Sequence, residues 1–127
     1  MLYHNILLID DDIDDIEILI EAINSIHEKT VCRSANNRAQ ILEALHNSEE
    51  VPDLIFMDLN IPGINHRELL QEIKSSEFTA EVPIILYSSH TKEIMQQLAK
   101  PFKIAQYITK PNSYQDLVEL LEDIFSR

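Results

Sequence analysis

Short runs of branched and aromatic apolar residues return along this chain at roughly 25-residue spacing, and after each run the apolar positions switch to a helical period. Ile6-Leu7-Leu8-Ile9 comes first, and Ile16, Leu19, Ile20, Ile23 and Ile26 then fall on one stripe. Thr30 to Ala35 reads as a weaker second strand, followed by Ile41, Leu42 and Leu45 on a helix capped by Asn36 or Asn37. Leu54-Ile55-Phe56-Met57 precedes Leu69, Leu70 and Ile73; Ile84-Ile85-Leu86-Tyr87 precedes Ile94, Met95 and Leu98. A fifth strand over 104–109 leads to Leu117, Leu120, Leu121 and Ile124, on a helix with Asn112 or Ser113 as its cap. Parallel strands need crossovers, and crossovers are usually helical. Five strands alternating with five helices therefore define an α/β fold with a parallel sheet covered on both faces.

At 127 residues the chain has room for one such domain, 1–127, and none for a separate output module. The start, Met1-Leu2-Tyr3-His4-Asn5, has no basic segment, and Asp10 interrupts the first apolar run. Neither a signal peptide nor membrane insertion is expected, and the cytoplasm is the expected compartment. Cys32 is the only cysteine, which rules out an internal disulfide and a thiolate metal cluster and points to a reduced, buried thiol. The net charge of −12 argues against direct contact with nucleic acid, whose binding depends on clustered Lys and Arg.

The carboxyl ends of parallel strands share one edge of a sheet, and ligands bind there in open α/β folds. That edge collects Asp10 and Asp11 after the first strand, Asp58 after the third, Ser88 after the fourth and Lys110 after the fifth. Each has an ordinary structural reading. Asp58 could cap the next helix, Asp14, Asp15 and Glu17 suit the positive end of the first helix, Ser88 could begin a cap and Lys110 could be a surface charge. Together they are harder to explain that way, because three neighbouring carboxylates repel unless a cation neutralises them. An all-oxygen set suits Mg²⁺, and an acid, a metal, a cation and a hydroxyl are the parts phosphoryl transfer uses.

Ile9-Asp10-Asp11, the Met57-Asp58 strand end with Asn60, Pro62 and Gly63, Tyr87-Ser88-Ser89 and Tyr107-Ile108-Thr109-Lys110-Pro111 resemble the receiver domain of bacterial two-component response regulators, over essentially the whole chain. The resemblance implies a flavodoxin-like doubly wound fold with strand order 2-1-3-4-5. It also implies that Asp58 accepts a phosphoryl group from a sensor histidine kinase or histidine phosphotransfer protein. Asp11, Asp58 and the main-chain carbonyl of Asn60 would hold Mg²⁺, with Asp10 acting through water. Lys110 would pair with Asp58 and then with the phosphoryl group, Ser88 and Tyr107 would switch position, and the Lys110-Pro111 bond would be cis. Such a receiver is not expected to turn over a separate substrate. It acts as an effector, a relay intermediate or a phosphate sink.

Several positions depart from the family pattern. Asn65-His66 replaces Asp-Gly at the entry to the third helix, Pro101-Phe102-Lys103 replaces a Gly-Ala turn, and Gly63 is the single glycine. His66 and His90 lie near the expected site edge, where they could tune the phosphoryl lifetime, but read first as solvated loop residues. Lys92, Lys100 and Lys103 flank Phe102 in a chain otherwise dominated by acids, and suggest a docking patch on the face built from the fourth helix, fifth strand and fifth helix. Two other classes compete. A Mg²⁺-dependent phospho-aspartyl hydrolase would use Asp10 as nucleophile with Asp12 two positions on, although Ile13 stands where Thr or Val is expected. A flavodoxin-like cofactor binder lacks a phosphate loop after Ile9.

Overall fold

The structure, a computed structural model, describes residues 3–126; Met1, Leu2 and Arg127, and with them the very start of the opening segment read above, lie outside it. Among the described residues the chain alternates β1 (Asn5–Ile9), α1 (Ile13–Ile26), β2 (Val31–Ala35), α2 (Arg38–Leu45), β3 (Leu54–Met57), α3 (His66–Ser75), β4 (Ile84–Ser88), α4 (Lys92–Ala99), β5 (Gln106–Thr109) and α5 (Tyr114–Phe125). The strands form one parallel sheet in the order β2-β1-β3-β4-β5. This is the flavodoxin-like α/β arrangement expected from the sequence.

The uninterrupted apolar runs are explained by burial on both faces. Leu7, Ile9, Ile55, Met57, Ile84 and Leu86 point into a core shared with α2, α3 and α4. The alternate residues Ile6, Leu8, Leu54, Phe56, Ile85 and Tyr87 point into a second core shared with α1 and α5. A strand with both faces covered has no position left for a polar side chain. Ile23 and Leu70 are fully buried helix contributions, and truncating either to Ala costs about 2–5 kcal/mol.

Each helix starts on a side-chain cap. Asp12, Asn37, Asn65, Thr91 and Ser113 accept from backbone N–H groups of the first turn, so Asn37 and Ser113 fill the roles for which Asn36 and Asn112 were also candidates. Gly63, at φ 77°, occupies the left-handed region that a side chain disfavours, and it turns the chain between β3 and α3. β5 is shorter than expected: the backbone first pairs at Ala105, whose N–H donates to Ile84, and Ile104 is a half-buried loop residue. The cis bond is Lys100-Pro101, not Lys110-Pro111, which is trans. Among the described residues no helix is long and apolar enough to cross a membrane.

Candidate functional site

β1 and β3 lie side by side, and the main-chain N–H of Asp58 donates to Ile9 at 2.9 Å, which brings Asp58 beside Asp10. Both acids are buried at the carboxyl edge, and the next residue, Asp11, is exposed. From the far side, the N–H of Lys110 donates to the carbonyl of Ser88 at 2.8 Å and fixes the lysine's backbone at the end of β4. Its side chain then crosses the edge. Nζ lies 2.8 Å from Oδ2 of Asp58, 3.0 Å from Oδ2 of Asp10 and 2.7 Å from Oδ2 of Asp15.

The other carboxylate oxygens of Asp58 and Asp10 are held by backbone. Oδ1 of Asp58 accepts from the N–H of Asn60 at 2.9 Å, and Oδ1 of Asp10 accepts from the N–H of Asp12 at 3.0 Å. Oδ2 of Asp58 thus faces the lysine while its Oδ1 is tied to the loop.

The electrostatics of the cluster are uneven. Burial alone would lower the Lys110 pKa, but its hydrogen bonds to Asp15, Asp58 and Asp10 outweigh burial and raise it. Burial raises the Asp10 pKa, against hydrogen bonds from Asp12 and Lys110 that lower it. The lysine is held charged by three acids, while Asp10 receives only a share of one lysine. Nζ also stands 5.5 Å from the centroid of the Tyr87 ring, whose hydroxyl is pushed up to about 12, mainly by burial. One ammonium against this many acids leaves the edge strongly negative.

Asp10, Asp11 and Asp58 each offer a carboxylate oxygen, all within 4.8 Å of one another. Hard oxygen donors, grouped closely and undercompensated in charge, fit a divalent cation such as Mg²⁺. The backbone of Asn60 lies against Asp58, and Oδ1 of Asn60 is 3.2 Å from Nε2 of His90. Ser88 is fully buried at the end of β4, and its Oγ accepts from the N–H of His90. Tyr107 is half-buried against the core shared with α4.

The reading of the two histidines needs correction. His66 and His90 are not solvated loop residues: both are half-buried, with Nε2 of His66 3.1 Å from the carbonyl of Leu98 and His90 bridged to Asn60. Phe102 is half-buried and packs on the core beneath the flanking lysines; the Arg67 guanidinium lies 5.9 Å from its ring centroid. Lys92, Lys100 and Lys103 are exposed, and Arg67 donates to the carbonyl of Lys100. Asp15 is the site residue the sequence reading missed. At the third position of α1 it looked like a dipole-compensating acid, yet its carboxylate makes the shortest contact to Lys110.

The description "Response regulator receiver domain" matches residues 6–122, so the chain belongs to the response regulator receiver family, whose members are signalling domains. Among its relatives is the phosphate regulon transcriptional regulatory protein PhoB of Pseudomonas aeruginosa, 29% identical over 127 residues, which are all of this chain and 54% of PhoB. Response regulator Rcp1 of Synechocystis is 26% identical over 95% of this chain and 86% of its own. Its Mn²⁺-bound form matches with a TM-score of 0.78, at 23% identity over 97% and 92% of the two chains. The phosphorylated cyanobacterial phytochrome response regulator RcpA matches with a TM-score of 0.80 at 26% identity, over 97% of this chain and 91% of that one. The chain spans about half the length of PhoB and most of Rcp1.

Proposed function

We propose that this receiver accepts a phosphoryl group on Asp58 from a sensor histidine kinase or a histidine phosphotransfer protein. The observation that carries the reading is a buried carboxylate with one oxygen tied to the backbone of Asn60 and the other 2.8 Å from Lys110, beside the Asp10 and Asp11 carboxylates. A carboxylate oxygen of Asp58 attacks phosphorus, the P–N bond of the phosphohistidine breaks, and the imidazole leaves with a proton. The product is an acyl phosphate. Lys110 stands where it offers positive charge to the phosphoryl oxygens as they arrive.

Asp11, Asp58 and the main-chain carbonyl of Asn60 would hold Mg²⁺, with Asp10 acting through water, and the ion would supply charge neutralisation at the phosphoryl oxygens. Phosphorylation adds charge at an edge bordered by Ser88 and, on the neighbouring strand, Tyr107. On this reading these two side chains carry the change toward the face of α4, β5 and α5. The partner meets the receiver there, at Lys92, Lys100 and Lys103, with Phe102 beneath them; the chain's net charge of −12 argues against nucleic acid as a direct partner. The chain works in the cytoplasm and turns over no separate substrate.

Incubation with acetyl phosphate and Mg²⁺, followed by intact mass, tests the reading. Wild type and Asp10→Asn gain one phosphoryl group, and Asp58→Asn gains none. Loss of the adduct in Asp10→Asn alone would instead assign the chemistry to a hydrolase-type nucleophile.

A further inference from the structure

We propose that Asp15 is a positioning residue that anchors the Lys110 ammonium throughout the phosphorylation cycle; the inference rests on the reading of Asp58 as phosphoryl acceptor. A lysine ammonium has three N–H donors on a flexible stem, and nothing in the side chain itself fixes where they point. Here three carboxylate oxygens from three elements surround it at 3.0 Å or less. Two of those acceptors have other roles in the cycle. Asp10 and Asp58 both belong to the set that fits a divalent cation, and Asp58 is also the group that is modified.

Asp15 belongs to neither category. Its carboxylate sits outside the group of acids within 4.8 Å, is 34% exposed where the Asp10 and Asp58 side chains are 8% exposed, and approaches Lys110 from α1 at the outer rim. A cation entering the cleft competes with Lys110 for Asp10 and Asp58. Asp15 is the one of the three acceptors that remains with the lysine. The main-chain N–H of Asp15 is separately bonded to Oδ1 of Asp12, so the helix cap does not depend on the Asp15 side chain. That separation makes the role testable without disturbing the fold.

An opposing effect sets the sign of the test. Asp15 also adds negative charge to an edge that must admit an anionic phosphoryl donor, and if repulsion were its whole effect, removing it would speed the reaction.

The experiment compares wild type, Asp15→Asn and Asp15→Glu in two measurements. The first is the ¹H–¹⁵N signal of the Lys110 ammonium in Mg²⁺-containing buffer, assigned with Lys110→Met. The second is the rate of phosphorylation by acetyl phosphate and Mg²⁺. The signal is expected to be sharp in wild type, exchange-broadened in Asp15→Asn and recovered in Asp15→Glu. The rate is expected to fall roughly five- to twentyfold in Asp15→Asn, the scale of a modest misplacement of a catalytic group, and to recover in Asp15→Glu. An unchanged ammonium signal, or faster phosphorylation of Asp15→Asn, overturns the proposal. If wild type takes no phosphoryl group, the reading of Asp58 fails, and the ammonium signal alone then decides whether Asp15 anchors the lysine.

Discussion

Oδ2 of Asp58 and Nζ of Lys110 lie 2.8 Å apart although 52 positions separate them in the chain, and their side chains are 8% and 16% exposed. Lys110 shields Asp58, Asp10 and Asp15 from one another, so its loss leaves buried carboxylates facing each other without a counter-charge. Lys110→Met should destabilise the cation-free protein by about 3–5 kcal/mol, the range for removing one partner of a buried charge set. Urea unfolding measures it. An unchanged midpoint would show that the acids are already solvated.

Asp10 carries a stability cost that depends on pH. Burial raises its folded-state pKa, so the stability contributed by the protonated acid is complete below the ordinary carboxylate range and is lost as pH rises through the raised value. At neutral pH, without divalent cations, Asp10→Asn should melt higher than wild type. The advantage should disappear as pH falls below about 4, where wild type is protonated too. Thermal melts across that range check both the sign and the window.

A divalent cation should have the opposite sign of effect to the repulsion it relieves. Mg²⁺ at tenfold its dissociation constant should stabilise the wild type by about 1.4 kcal/mol, the amount mass action requires of a ligand that binds only the folded state. Asp11→Asn, which removes an exposed member of the oxygen set, should shrink the gain at the same Mg²⁺ concentration. Melting with and without Mg²⁺, and with EDTA as control, measures it.

The contact between α3 and α4 was not foreseen. Arg67 donates to the carbonyls of Leu98 and Lys100 and stacks near Phe102, while His66 reaches Leu98 from one residue earlier. These bonds satisfy the Leu98 and Lys100 carbonyls at the end of an eight-residue helix, where the last carbonyls lack intrahelical partners. Arg67→Ala should speed amide exchange across Lys92–Ala99 by roughly five- to twentyfold relative to α5. Equal exchange in both proteins would mean that packing alone holds α4.

Where the chain was legible, one physical rule dominated. Ile6 to Ile9, Leu54 to Met57 and Ile84 to Tyr87 are buried on both faces, so the apolar runs mark the strands, and the polar residues that end them, Asp10, Asp58 and Ser88, mark the edge. Asn37 and Ser113 could be read as caps because a cap acts on its own neighbours. Asp15 could not be read as a partner of Lys110, since its role comes from a contact 95 positions away and its place in a first helical turn already had a local explanation. The packing of Phe102 on the core under Arg67 is illegible for the same reason, because Arg67 comes from α3. Ile104, β-branched and apolar, extended the apparent fifth strand past the point where pairing begins at Ala105.

The site of covalent attachment tests the account most directly. Borohydride reduces an acyl phosphate to an alcohol, so treatment after exposure to acetyl phosphate and Mg²⁺ marks the acceptor permanently, and tandem mass spectrometry of the digest locates it. The account predicts a homoserine at position 58 and an unmodified Asp10. Reduction at position 10, or at no aspartate in the chain, would contradict it.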